Sequence, residues 1–262
     1  MQADPWKSGN PYEYFMGRWS RPIAQKFLTW LSLGTQQRWM DIGCGTGVLS
    51  SSIVDMTAPR EVLGVDASDA FIAFAQQTHH NARLRFQVAD ARQLPAETHY
   101  FDAAVSGLAL NFIPDPLTAL VEMVRVTRPD GIIAVYVWDY AEKMQMLRYF
   151  WDAAIEIDPA ARALDEGTRF PLCQPSALED LFQQADLKNV KVRAIDATTV
   201  FQDFDDYWSP YLGGQGPAPG YVMGLPGDLR TSLENRLRAM LPVRSDGTIA
   251  LIARAWSIRG VV

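Results

Sequence analysis

Three histidines and two cysteines are all that 262 residues offer of the side chains that most often hold transition metals. Cys44 sits between two glycines and Cys173 lies far along the chain. That spacing fits neither a zinc motif nor a disulfide framework, so no metal and two reduced thiols in the cytoplasm are expected. Runs of Lys or Arg are missing too. With a net charge of −6, the chain lacks the basic footprint of a nucleic-acid binder, and its acidic balance serves solubility. No apolar stretch approaches the roughly 18 residues of a membrane span. The opening MQADPWKSGNPYEYF carries an acid and two prolines where a signal peptide has a basic start and an apolar core. Repeats and low-complexity segments are absent as well. Against these lacks stand 48% hydrophobic and 21% charged residues, the balance of an ordinary globular protein. The length suits one large α/β domain, or one domain with a small lobe.

Apolar residues at helical spacing, Ile23, Phe27, Trp30 and Leu31, predict a helix ahead of the first strand, with Pro22 near its start. RWMDI (38–42) reads as a short buried strand, and VLSSSIVDM (48–56) as a helix. The same alternation continues through EVLGVD (61–66), a helix over 67–79, LRFQVAD (84–90), FDAAVSG (101–107), a helix over 116–127, an RPDG turn, and GIIAVYVWD (131–139). Strands alternating with helices predict right-handed βαβ units in a mostly parallel sheet, with ligands at the strands' C-terminal edge. After Tyr140 the rhythm loosens. Helices over 142–157, 175–187 and 229–241 flank two late strands, VKVRAIDATTVF (190–201) and TIALIARAWSIRG (248–260). The expectation is a doubly wound, Rossmann-like sheet of seven strands with an antiparallel last strand. A helical cap over 1–34 precedes a domain over 35–262, and insertions at about 140–175 and 203–241 form a helical lid.

The chemistry concentrates in WMDIGCGTGV (39–48). Three closely spaced glycines are costly in ordered backbone, so something must approach it closely. Asp41, Asp66 and Asp90 close three consecutive strands, one strand–helix unit apart. An acid after the second strand is placed to accept both hydroxyls of a ribose, and a third acid can accept from an exocyclic amine. The G-x-G-x-G spacing departs from the dinucleotide fingerprint, and no phosphate-cradling G-x-x-x-x-G-K-[ST] is present. Asp41 would repel a pyrophosphate and attract an ammonium. A nucleoside carrying an amino-acid tail fits better than a dinucleotide.

The segments WMDIGCGTGVLS, VLGVDAS, VADARQLP, FDAAVSGLALNFIPDP and RPDGIIAVYVW resemble the class I S-adenosylmethionine-dependent methyltransferases, most closely the ubiquinone/menaquinone-biosynthesis-like, small-molecule branch. The resemblance covers about residues 35–140. It implies S-adenosyl-L-methionine as cofactor and methyl transfer to a small acceptor by in-line displacement. It places Gly43 and Gly45 against the methionine part, Asp41 near the amino group, Asp66 on the ribose with Ala67 near the adenine, and Asp90 with the Ala91 N–H on the adenine edge. Ser106, Gly107 and Leu108 would line the methyl-donor side. Many relatives carry a His after the fourth strand. Here that segment reads LALNFIPDP, so no general base is assigned, and Asn111 and Phe112 are the acceptor-facing candidates there.

Other residues have plainer readings beside sharper ones. Arg18 and Tyr14 could close over the cofactor, with Arg18 pairing its carboxylate, or be surface charge and packing. Trp208 and Tyr211 could form an acceptor pocket or merely pack a lid. Asp203, Asp205 and Asp206 read as a solvated loop, since no His or Cys accompanies them. His79 and His80, at the end of a helix, read as structural. Two rival functions stay in view: a non-catalytic S-adenosylmethionine-binding protein, and an NAD(P)-dependent oxidoreductase, which the glycine spacing disfavours. The sequence leaves the choice between monomer and homodimer open.

Overall fold

The computed structural model describes residues 16–213 and 216–262; Tyr14 lies outside them. The described chain forms two compact units. One is a sheet unit of residues 20–138, 172–195 and 255–262, and the other, mostly helical, includes 139–171 and 196–254 together with the described residues up to Trp19.

In chain order the elements are α1 (Arg18–Leu31), β1 (Arg38–Ile42), α2 (Val48–Thr57), β2 (Glu61–Asp66), α3 (Asp69–Thr78), β3 (Leu84–Val88), β4 (Phe101–Gly107), α4 (Pro116–Val126) and β5 (Thr127–Trp138). There follow α5 (Gln145–Ile157), α6 (Glu166–Arg169), α7 (Pro175–Gln184), β6 (Lys188–Phe201), α8 (Phe204–Trp208), α9 (Pro217–Gly224), α10 (Gly227–Met240) and β7 (Ile249–Val261). Seven strands make one sheet in the order β3-β2-β1-β4-β5-β7-β6. β1 pairs in parallel with β2 and β4, β2 with β3, and β4 with β5, whereas β7 runs antiparallel to β5. The seven-stranded, mostly parallel α/β sheet expected from sequence is therefore present.

Local chemistry explains the element ends. Ser68 caps α3 by accepting from the Phe71 N–H, and Asp115 caps α4 by accepting from the Thr118 N–H, with Pro116 at the first helical position. α1 begins at Arg18, so Pro22 lies inside it and costs it one helix hydrogen bond. RPDG does not separate α4 from the next strand. β4 and β5 pair at Phe101–Thr127 and again at Ala103–Ile132, and residues 128–131 bulge out between them, with Asp130 at φ +61°. Trp39, Ile42, Val62, Val105, Ile133 and Val135 are fully or almost fully buried along the central strands, as strands covered on both faces require.

The helical unit has its own core. Phe150 of α5 stacks on Tyr211 with ring centroids 4.5 Å apart. The hydroxyls of Tyr207 and Tyr211 both donate to the Met146 carbonyl, at 2.9 and 3.0 Å. Arg148 grips Asp165 through two 2.9 Å bonds. Beside it the Trp151 indole donates to Glu166, whose carboxyl is buried and has its pKa pushed up to about 7 by that burial. No helix among the described residues is long and apolar enough to cross a membrane.

Candidate active site

The turn from β1 into α2 is bare for reasons that differ along its length. Gly43 has φ +70°, and a Cβ there would overlap the Ala109 methyl; Gly47 has φ +86°, and a Cβ there would lie 2.8 Å from the rings of His79 and Phe86. The protein itself presses on both. A Cβ on Gly45 would meet nothing within 4 Å, so this residue faces open space. The donors of the turn are directed inward. The Gly43 and Cys44 N–H groups donate to the Val65 carbonyl at 2.8 and 2.9 Å, Gly47 donates to the Cys44 carbonyl at 2.9 Å, and Gly45 donates to Asp66 Oδ2 at 3.0 Å. These four N–H groups are therefore not free for a ligand: the fold already uses them.

The three acids occupy different environments. Asp66 is the last residue of β2 and half-buried, with Oδ2 on the Gly45 N–H and Oδ1 on the Ser68 N–H at 2.9 Å. Burial raises its pKa against the lowering effect of those two donors. A carboxylate has about four lone-pair sites, so two further hydroxyls can still be accepted. Asp41 lies within β1, not at its end, and has no exposed surface. The Ser50 hydroxyl of α2 donates to its Oδ2 at 2.6 Å, while Oδ1 has no partner. Burial pushes the pKa of this carboxyl up to about 7, with the Asp66 charge adding to it and the Ser50 hydrogen bond opposing. Asp41 thus ties the start of α2 to the sheet, and this conformation does not present it to an ammonium. Asp90 lies two residues beyond β3 and is exposed. The Arg92 guanidinium holds both its oxygens, at 3.0 and 2.6 Å, and lowers its pKa to about 2. Ala67 beside Asp66 is exposed, and Ala91 is half-buried.

At the end of β4, Gly107 is half-buried and Leu108 adopts φ +60°, a left-handed conformation uncommon for a residue with a Cβ. Its N–H donates to the Tyr136 carbonyl at 2.7 Å. Such backbone strain concentrates at binding sites. Ser106 is fully buried with an unpartnered hydroxyl, so it does not line an open face. Asn111 is more telling: both ends of its amide are buried and neither has a partner. An unpaired buried polar group costs about 1–3 kcal/mol. Phe112, next along, is 41% exposed. Asn111→Leu is therefore expected to stabilise the ligand-free protein by about 1–2 kcal/mol, measured by thermal unfolding; a loss of stability would mean that the amide is satisfied in solution.

The candidates outside the sheet unit are occupied or buried within the helical unit. Arg18 pairs both its terminal nitrogens with Asp206, at 2.8 and 3.1 Å, and lies over the rings of Trp19 and Phe201. This corrects the expectation that it awaits a carboxylate. Asp203 caps α8, and Asp205 approaches Arg238 at 3.3 Å; Asp203 and Asp205 are solvated, as expected, but the cluster opens a short helix in place of a loop. Trp208 and Tyr211 are buried within the aromatic core, not displayed as a pocket wall. Arg18→Ala is expected to leave cofactor affinity within about twofold and to lower stability by less than about 1 kcal/mol, because the pair is partly exposed; a roughly tenfold loss of affinity in calorimetry would contradict this.

One residue set aside at the sequence level belongs here. His79, just past α3, places Nε2 3.0 Å from the Thr46 carbonyl in the glycine turn. No spacing rule flags a histidine so far from the motif; only its place near the end of a helix packed beside β3 could have pointed to it.

Residues 40–135 match the methyltransferase domain family. The chain is 32% identical over 111 residues to a malonyl-[acyl-carrier protein] O-methyltransferase of Hahella chejuensis, covering 42% of this chain and 40% of that protein. It is 33% identical over 96 residues to a demethylmenaquinone methyltransferase of Staphylococcus aureus, covering 36% of this chain and 40% of that protein. The chain therefore spans about two fifths of the length of these relatives, and the family match over residues 40–135 holds the glycine turn, Asp66, Asp90 and Asn111. Over more of the chain the likeness is one of fold. A phosphoethanolamine N-methyltransferase 2 of Haemonchus contortus, solved with S-adenosyl-L-methionine, superposes with a TM-score of 0.60 at 16% identity, over 96% of this chain and 56% of that one. The YcgJ protein of Bacillus subtilis superposes with a TM-score of 0.58 at 18% identity, over 91% and 97%. Within the matched stretch, Asp66 and Gly45 share one hydrogen bond, which fixes the second strand's acid against the glycine turn.

Proposed function

We propose that this protein transfers the methyl group of S-adenosyl-L-methionine to a small-molecule acceptor. The observation that carries the reading is the Asp66 carboxylate, held half-buried by the Gly45 and Ser68 N–H groups beside the one glycine of the turn that opens onto free space. In that place it accepts the two ribose hydroxyls. Asp90 and the Ala91 N–H take the adenine edge, Ala67 lies near the adenine, and Gly43 and Gly45 lie along the methionine part. Asp41 acts from behind the turn by keeping the start of α2 in place. The turn carries no cradle for a pyrophosphate, because the N–H groups of Gly43, Cys44, Gly45 and Gly47 are spent within the fold. This is the physical ground for preferring the amino-acid-tailed nucleoside over NAD(P).

The cofactor supplies an electrophilic methyl on a sulfonium. What remains for the chain is to hold donor and acceptor in line and to exclude water. Gly107 and the strained Leu108 border the donor, and the Asn111 side chain offers the acceptor both a hydrogen-bond donor and a carbonyl oxygen. No base is assigned, and none is required unless the acceptor must lose a proton. A reducing cytoplasm suits the two buried cysteines outside any disulfide, Cys44 and Cys173. Incubation with methyl-labelled S-adenosylmethionine and a panel of acceptors is expected to release S-adenosylhomocysteine only when an acceptor is methylated. Tight binding of the cofactor with no transfer to any acceptor class would favour the non-catalytic binder.

A further inference from the structure

We propose that His79 is a positioning residue: its Nε2–H holds the Thr46 carbonyl and so fixes the glycine turn in the shape that receives the cofactor. The inference rests on the cofactor reading above, but its geometry stands on its own. His79 is the residue at which α3 ends, and its own N–H still bonds the Ala75 carbonyl, which anchors its backbone to the helix. From there the ring lies flush against the turn. Its Cδ2 and Nε2 are 2.8 and 3.1 Å from where a Cβ of Gly47 would stand, and the Phe86 ring closes the other side, 6.1 Å away between centroids. This contact is what keeps Gly47 bare.

A carbonyl oxygen can only accept, so the 3.0 Å contact requires hydrogen on Nε2. Both the neutral ring with that tautomer and the imidazolium satisfy this, and the tautomer is assigned here from its partner. The turn lies between Gly43 and Gly47, both at positive φ, a backbone that glycine leaves free to change shape. Without the restraint from His79, the open space at Gly45 would have a less fixed outline. His79 also lines a surface cleft of about 590 Å³, with Gln76, His80, Asn81, Arg85 and Phe86 around it. The restraint therefore comes from a half-exposed side chain at a helix end.

Two variants separate the hydrogen bond from the ring. His79→Phe keeps the packing against Gly47 and Phe86 but has no donor, whereas His79→Gln carries an N–H of similar reach. The readouts are S-adenosylhomocysteine affinity by calorimetry, thermal unfolding, and hydrogen exchange of amides 43–47 in the ligand-free protein. His79→Phe is expected to bind about three- to tenfold more weakly, with faster exchange in the turn and an unchanged melting temperature, and His79→Gln to return to within about twofold of the wild type. Wild-type affinity and exchange in both variants would overturn the proposal. So would equal weakening in both with a fall in melting temperature, which would assign the effect to the ring. If the wild type itself does not bind S-adenosylhomocysteine, the cofactor reading fails, and the exchange of amides 43–47 still decides whether His79 fixes the turn.

Discussion

Asp66→Ala is expected to weaken S-adenosylhomocysteine binding about a hundredfold. The carboxylate is positioned for two ribose hydroxyls, and a hydrogen bond to a charged group contributes about 1.5–3 kcal/mol, so losing two removes about 3 kcal/mol at the lower end. The same substitution frees the Gly45 and Ser68 N–H groups and loosens the turn. Asp66→Asn keeps an acceptor but loses the charge and should fall between. Asp90→Ala is the internal comparison. Arg92 already occupies both Asp90 oxygens, so its loss should cost about tenfold or less. Titration calorimetry on the three variants checks the order. Equal effects at Asp66 and Asp90, or none at Asp66, would remove the ribose assignment.

The second large effect concerns stability against pH. Asp41 and Glu166 are buried carboxyls, in the sheet unit and the helical unit respectively, each with its pKa raised to about 7 from 3.8 and 4.5. A carboxyl raised in the folded state binds more protons folded than unfolded between its two pKa values. Stability is therefore greatest below the unfolded value and falls as pH rises through about 7, after which it is level. At about 1.36 kcal/mol per unit, each contributes a penalty of about 2–4 kcal/mol at pH 8 as an upper range. Asp90, lowered to about 2, acts in the opposite direction only in strong acid. Asp41→Asn and Glu166→Gln mimic the neutral forms, and the amide of the latter keeps an acceptor for the Trp151 indole. Each is expected to raise the melting temperature at pH 8, and to do so far less at pH 5. Unfolding scans across pH 5–8 test this. A variant that is equally destabilised at both pH values would show that the charge is not the cost.

The parallel sheet is legible in the sequence because its strands are short apolar runs closed by acids, with turn residues between them. RPDG reads as a separator because the bulge that absorbs it depends on the partner strand: residues 128–131 loop out while Phe101 and Ala103 stay in register with Thr127 and Ile132. The glycine turn is legible as a place of close approach, but not as three different places. Which glycine faces Ala109, which faces His79 and which faces open space is decided by segments distant in sequence. Burial is the other blind spot. Asp41 looks like a strand-end acid until Ser50 closes over it, and Arg18 looks like a free cation until Asp206 meets it across 188 residues. Trp208 and Tyr211 read equally well as pocket or core because aromatic composition is the same for both; only the stack of Tyr211 on Phe150 separates the two.

The central claim is that the space beside Asp66 and Gly45 receives an amino-acid-tailed nucleoside. Calorimetric titration of the wild-type chain with S-adenosylhomocysteine, with NADH as the counter-ligand, tests it most directly. Saturable one-to-one binding of S-adenosylhomocysteine in the micromolar range, with no heat from NADH, is the predicted result. Absence of S-adenosylhomocysteine binding at high micromolar concentration, or saturable binding of NADH in its place, would contradict it.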